Sequence, residues 1–219
     1  MSAWSYSSLT AFETCPRRYY LTRVLKVVKE EQTAATLEGN ELHKALELDV
    51  AGKQALPPKY RHLQPLTNKL RAAPGQILTE YKFALTRELR PTEFFAKNVW
   101  VRGVLDYANV RTNFAVVLDY KTGKRKFDLD QLKLFAGATF QLFPRVERVQ
   151  TGYIWLRDKK IDPQSFARDE APVIWQEFAA RVHRLEQSEE TNHWPARPSG
   201  LCREWCPVGR KHCEHCGKH

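Results

Sequence analysis

Long apolar runs are missing from this 219-residue chain. No stretch reaches the roughly 20 residues that a membrane-spanning helix requires, so no membrane partner is expected. The opening segment, MSAWSYSSLTAFETC, has no basic start followed by an apolar core, so no secretory signal is expected. There is no G-x-x-x-x-G-K-[ST] loop, so no built-in nucleotide-driven motor is expected. Internal repeats and low-complexity tracts are also lacking. Acidic residues are in deficit: 25 Asp and Glu face 35 Lys and Arg, giving a net charge of +10 and a pI near 9.4. That surplus suits a polyanion, because cationic side chains displace counterions from phosphates. A basic but unspecialised surface would carry the same number. Cysteines are few, and four of the five fall within the last 18 residues. An odd count without an export signal argues against a disulfide framework, and clustered thiols in a reducing compartment hold metals.

At this length one sizeable core can be buried, so a single domain is expected. Residues 5–20 suggest short helical pieces after a Ser cap, with Pro16 interrupting or starting one of them. Residues 36–51 carry Leu37, Leu42, Ala45, Leu46 and Val50 at helical spacing, with His43 among them. Residues 53–75 contain four prolines and read as loops around one short helix. The β-branched and aromatic segments 77–86, 98–110, 114–121 and 151–157 read as strands. Residues 128–144 and 170–188 read as helices, the first stopped by Pro144. The order predicts an α/β fold with a mixed sheet rather than strict βαβ alternation, ending in a Cys-rich tail.

The spacer Arg111-Thr112-Asn113 is short enough for a hairpin. Pairing about Thr112-Asn113 sets Asp106 opposite Asp119, with Cβ atoms about 4.5–5.5 Å apart. Like charges that close repel unless a cation lies between them. Two such carboxylates suit Mg²⁺ or Mn²⁺, with water or phosphate oxygens completing the octahedron. Lys121 shares their face, two residues beyond Asp119. Its ammonium can hold an attacking water or stabilise charge on a phosphorane. A solvent-facing hairpin with two acids and a lysine is the other reading. Against it, Val104, Leu105, Val116, Val117 and Leu118 make the hairpin apolar enough to be central.

Several motifs in order resemble the PD-(D/E)XK nucleases, and within them the RecB-type and CRISPR-associated exonucleases. Residues 5–19 resemble S-x-S-x-L…C-P-x-x-[YF]; Gly39–His43 resembles G-x-x-x-H; Gly103–Asp106 resembles G-x-x-D. Asp119-Tyr-Lys121 resembles [D/E]-x-K, with Thr122-Gly123 following. Gln131–Phe135 resembles Q-x-x-x-Y, with Phe in place of Tyr. The resemblance implies a restriction-endonuclease-like mixed central sheet flanked by helices, over one nuclease domain. Within it, residues 1–35 and 191–219 would be cluster-binding segments clasping the chain ends, and 36–190 the catalytic core. It further implies that His43, Asp106, Asp119 and the Tyr120 carbonyl bind the metal. Lys121 would activate water, and Gln131 would sit near Lys121 and the DNA backbone. Glu80 is a loosely matched acid in the preceding strand.

By the same resemblance, Cys15, Cys202, Cys206 and Cys213 would hold a [4Fe–4S] cluster, with Cys216 as a substitute. The usual C-x-x-C step is replaced by Cys202-x-x-x-Cys206, which leaves the set open. A zinc site from Cys202, Cys206, Cys213 and Cys216, with His212 and His215 nearby, is the alternative. The implied activity is a Mg²⁺- or Mn²⁺-dependent DNA exonuclease on single strands or duplex ends, serving recombination, repair or replication. Phage origin, a cytoplasmic location in a bacterial or infected host cell, and protein partners in such a complex fit that reading. Arg17, Arg18 and Phe135 are candidate DNA contacts. Trp4, Tyr6, Tyr19, Tyr20, Trp194 and Trp205 are candidates to stack on unpaired bases near Arg17, Arg18 and Arg203. A structure-selective endonuclease on the same fold and a non-catalytic, zinc-containing nucleic-acid-binding module are the rivals.

Overall fold

The computed structural model describes residues 3–30, 32–126, 128–158 and 160–217. Two compact units emerge: residues 33–176, and residues 1–32 together with 177–219.

The first unit is built on a five-stranded mixed sheet in the order β1-β2-β3-β4-β5. Its strands are β1 (Gln76–Leu85), β2 (Val101–Val110), β3 (Phe114–Lys121), β4 (Arg148–Trp155) and β5 (Lys160–Ala167). All neighbours are antiparallel except β3 and β4. The parallel pair needs a crossover, which helix α5 (Leu129–Leu142) supplies. The Asp128 carboxylate caps α5 by accepting from the Asp130 N–H, and Pro144 cannot extend its last turn. The Arg168 guanidinium donates to the Phe140, Phe143 and Val146 carbonyls at the other end of α5. Strand β5 goes beyond what the sequence suggests. It is charged, largely exposed and contains Pro163, a residue tolerated only at a sheet edge, where β5 lies.

Helix α3 (Ala34–Val50) starts on Thr33, whose hydroxyl accepts from the Thr36 N–H. It buries Leu42, Ala45, Leu46 and Val50 against Tyr107, Leu118, Tyr120 and Ile154 of the sheet. Burying a side chain such as Leu46 contributes roughly 1.5–3 kcal/mol. Helix α4 (Gln64–Arg71) joins this layer, and the buried Asp49 carboxylate is held by Arg71 at 2.8 Å and Gln64 at 3.1 Å. Side chains alternate across the sheet, so Asp119 and Lys121 point to the face opposite Leu118 and Tyr120. Gln131 of α5 meets them there.

The second unit gathers both chain ends. Helix α1 (Tyr6–Thr14) begins with a capping box between Ser5 and Ser8, and α2 (Pro16–Tyr19) follows with Pro at its first turn. Trp4 is buried and stacks on Phe178 of helix α6 (Ala171–Thr191), with ring centroids 5.6 Å apart. Glu13 forms a two-pronged ion pair with Arg181 at 2.7–2.8 Å, and Pro195 accepts from the Arg17 N–H.

Candidate active site

The β2–β3 pairing runs Tyr107↔Leu118 to Val110↔Ala115, the register expected from the three-residue turn. The ladder stops one step short of Asp106 and Asp119. Beyond it, the Asp106 side chain takes the place of a strand partner: its Oδ2 accepts the Tyr120 N–H at 2.8 Å. Both acids are buried, so they stand on the inner edge of a splayed strand pair.

Two linked sets of side chains form there. In the first, one ligand atom each from His43, Glu80 and Asp106 lies within 4.8 Å of the others, spacing that one cation can bridge. His43 Nδ1 is 3.4 Å from Asp106 Oδ2. Its ring meets the buried Tyr120 ring edge-on at 5.7 Å. In the second, Lys121 Nζ lies 2.8 Å from Asp119 Oδ2 and donates to Gln131 Oε1 at 2.8 Å. Gln131 Nε2 donates to Asp119 Oδ1 at 3.0 Å. The closed triangle fixes Lys121 with both hydrogen-bonding ends of Gln131 used.

Glu80 reaches the site by an unusual backbone. The β1–β2 register places it opposite Asp106, between Thr79↔Tyr107 and Tyr81↔Leu105, and its φ is +47°. A left-handed residue within a strand costs on the order of 1–3 kcal/mol, and such strain collects at functional positions. Tyr153 of β4 lies beside Asp119 in the parallel register. Its ring sits 4.9 Å from Lys121 Nζ, while its hydroxyl donates to the Asp128 carbonyl and lies 3.4 Å from Gln131 Oε1. Tyr153 is absent from the sequence-level candidates, and Glu80 was only a loose match.

Asp119 and Glu80 hold their protons more tightly than free carboxyls do. Burial first, then the Asp106 charge, pushes Asp119 up to about 6, against the opposing pull of Lys121. Burial and Asp106 likewise raise Glu80. For His43, burial disfavours the charged ring, but the Asp106 hydrogen bond and charge outweigh it and the pKa rises. The Asp106 charge contributes to all three shifts, and a divalent cation would offset it. Carboxylate oxygens and an imidazole nitrogen form a donor set suited to Mg²⁺ or Mn²⁺, so these residues fit such an ion.

The remaining sequence candidates are placed differently. Phe135 is buried at 4% exposure in the α5 core, so its ring is not presented to a substrate. Its position on the inner helix face, required by packing, rules out the expected contact. Trp4, Tyr19 and Trp194 are also core residues, with Tyr19 and Tyr20 stacked on Trp194. Trp205 is 74% exposed and Arg17 is exposed, whereas Arg18 pairs with Glu30 at 2.7 Å. Cys15, Cys202, Cys206, Cys213 and Cys216 line one cavity. The Arg197 and Ser199 N–H groups donate to the Cys15 and Cys202 sulfurs at 3.5 and 3.4 Å. Burial and hydrogen bonding with the neighbouring Cys206 and Cys213 push the Cys216 thiol up to about 12.

A family model described as the PD-(D/E)XK nuclease superfamily matches residues 3–214. No curated protein matches in sequence. Among solved structures, a candidate exonuclease from Eubacterium rectale is similar with a TM-score of 0.55 at 10% identity. That match covers 93% of this chain and 86% of the other. The protein SSO0001 gives a TM-score of 0.48 at 16% identity, over 95% of this chain and 84% of the other.

Proposed function

The chain belongs to the PD-(D/E)XK nuclease superfamily, and on that premise we propose that it is a Mg²⁺- or Mn²⁺-dependent deoxyribonuclease that degrades DNA from its ends. The observation that carries this reading is the meeting of His43, Glu80 and Asp106 beside the Asp119–Lys121–Gln131 triangle. His43, Glu80, Asp106 and Asp119 would hold the ion, with the Tyr120 carbonyl as a further donor. When bound, the ion supplies a Lewis acid for the phosphate and lowers the pKa of a coordinated water.

The chain's own groups do the rest. Lys121 Nζ, fixed by Asp119 and Gln131, orients the attacking water and offsets charge that builds on the phosphate oxygens. Gln131 keeps the ammonium from swinging away, and the Tyr153 ring backs it from the sheet side. Asp106 ties the β3 backbone to the ion site through the Tyr120 N–H. Attack on DNA ends is supported by the description of the Eubacterium rectale neighbour and by the motif resemblance. A role in recombination, repair or replication is supported by the motif resemblance.

The five-cysteine cavity is proposed to hold a [4Fe–4S] cluster in which Cys15 joins C-terminal thiolates. Cys15 shares the cavity with the C-terminal thiols, and a site built from Cys202, Cys206, Cys213 and Cys216 alone would leave it unused.

The test uses end-labelled linear DNA and covalently closed circles, with divalent metal omitted and then added. Metal-dependent loss of the linear substrate with intact circles is expected. Asp119→Ala should abolish cleavage while leaving the circular dichroism spectrum unchanged. Cleavage retained by Asp119→Ala would overturn the site assignment, and cutting of circles would overturn the end requirement.

A further inference from the structure

A pocket of about 450 Å³ is lined by segments that adjoin His43 and Lys121 in the chain and has no part in the mechanism above. One wall is the start of α3, through Ala35, Glu38, Gly39 and Leu42. The other is the Thr122-Gly123 turn that follows Lys121. The walls touch closely: a Cβ on Gly39 would lie 3.3 Å from Thr122 Oγ1. Gly39 precedes His43 by about one helical turn, or roughly 5.4 Å of rise. The pocket therefore begins about one nucleotide step from the scissile phosphate implied by the His43–Asp106 site.

Its chemistry is divided. Leu42, Tyr60, Leu63 and Leu156 are buried and supply an apolar floor. Lys59, His62 and Arg157 stand on the rim, facing the single acid Glu38. Lys59 is paired with Glu41, whereas Arg157 is exposed and makes no ion pair among the described residues. The Leu156 N–H donates to the Lys121 carbonyl at 3.0 Å, which fixes where Arg157 emerges beside the catalytic lysine. The N-terminus of the 17-residue helix α3, with no acid in its first turn, adds partial positive charge at the same rim. An apolar floor under a cationic rim fits a group with a flat hydrophobic body and an anionic end.

We propose that this pocket is a single-nucleotide subsite. It takes the nucleotide adjoining the scissile phosphate, the base on the leucine and tyrosine floor and the phosphate at Arg157 and the Thr122 hydroxyl. The proposal rests on the DNA-nuclease reading and adds where the strand lies. The volume is within the range of small-ligand pockets and accommodates one nucleotide rather than a duplex.

The experiment measures binding of deoxyadenosine monophosphate to the full chain by calorimetry with Ca²⁺ present, and in parallel KM and kcat on end-labelled single-stranded DNA. Arg157→Ala should weaken nucleotide binding about tenfold and raise KM more than it lowers kcat. Ala35→Trp, at an exposed lining position, should fill the pocket and abolish nucleotide binding. Lys53→Ala removes the same charge away from the pocket and serves as the control. Equal binding by wild type and both pocket variants overturns the subsite, as does an equal loss in Lys53→Ala. Nucleotide binding is read directly, so the subsite is judged separately from cleavage. A wild-type chain that binds the nucleotide but leaves DNA intact with Mg²⁺ and Mn²⁺ overturns the nuclease reading instead.

Discussion

A divalent ion held as proposed at the end of β2 and β3 would have to compete with protons there. Burial, with the Asp106 charge beside it, pushes the Asp119 carboxyl up to about 6. That carboxyl is then about nine-tenths ionised at pH 7 and about one-tenth at pH 5. Affinity for Mn²⁺ should fall about tenfold over that interval from Asp119 alone, or about 1.4 kcal/mol. His43 and Glu80 are raised as well, so both steepen the fall. Calorimetry at pH 6 in two buffers of different ionisation enthalpy counts the protons displaced. Asp119 should contribute about half a proton there. Asp119→Asn should remove that share and flatten the profile. An affinity constant within about twofold from pH 5 to 7, with no buffer dependence, would refute the reasoning, because the raised groups would then not be displaced by the ion.

Other outcomes follow from the same contacts. Metal-free protein should lose stability as pH rises from about 4 to 6. Asp119 binds its proton more tightly folded than unfolded, a difference of about 3 kcal/mol, visible in urea midpoints as a slope that Asp119→Asn lacks. Gly103→Ala should destabilise by about 1–3 kcal/mol, since its Cβ would lie 2.7 Å from the buried Phe83 ring; an unchanged melting temperature would show that the ring can yield. Tyr153→Phe keeps the ring near Lys121 and should retain most kcat, whereas Tyr153→Ala should lower kcat about tenfold or more with little change in KM. Equal kcat values for the two variants would remove the ring from lysine positioning. Anaerobically purified protein should absorb at about 400 nm and contain iron. A colourless sample with one zinc per chain would defeat the cluster.

Much of the candidate site is legible in the sequence because short separations constrain it. Three residues of turn fix the β2–β3 register, so Asp106 and Asp119 are bound to approach each other, and strand alternation places Lys121 with Asp119. Helical spacing shows which face of α3 and α5 is buried, including that of Phe135, whose burial then outweighs its motif position. Gln131 and His43 are visible only as parts of an ordered motif series.

Residues brought together across long separations needed the folded chain. Glu80 faces Asp106 across residues 86–100, a connection too long to impose a register, and its left-handed backbone leaves no mark in composition. Tyr153 reaches Lys121 through the parallel β3–β4 pairing, which follows from the α5 crossover rather than from any local pattern. The edge strand β5 lacks the apolar alternation that reveals strands, because one side of it borders no further strand. The thiol cavity joins Cys15 to sulfurs 187 to 201 positions later, and packing in the second unit holds them there. By itself the sequence determined that Asp106, Asp119 and Lys121 come together, since local geometry leaves them little freedom. Only the tertiary structure decided which distant side chains, Glu80 and Tyr153 among them, join these residues, because loop closure over long separations is governed by the global packing of the sheet and its helices.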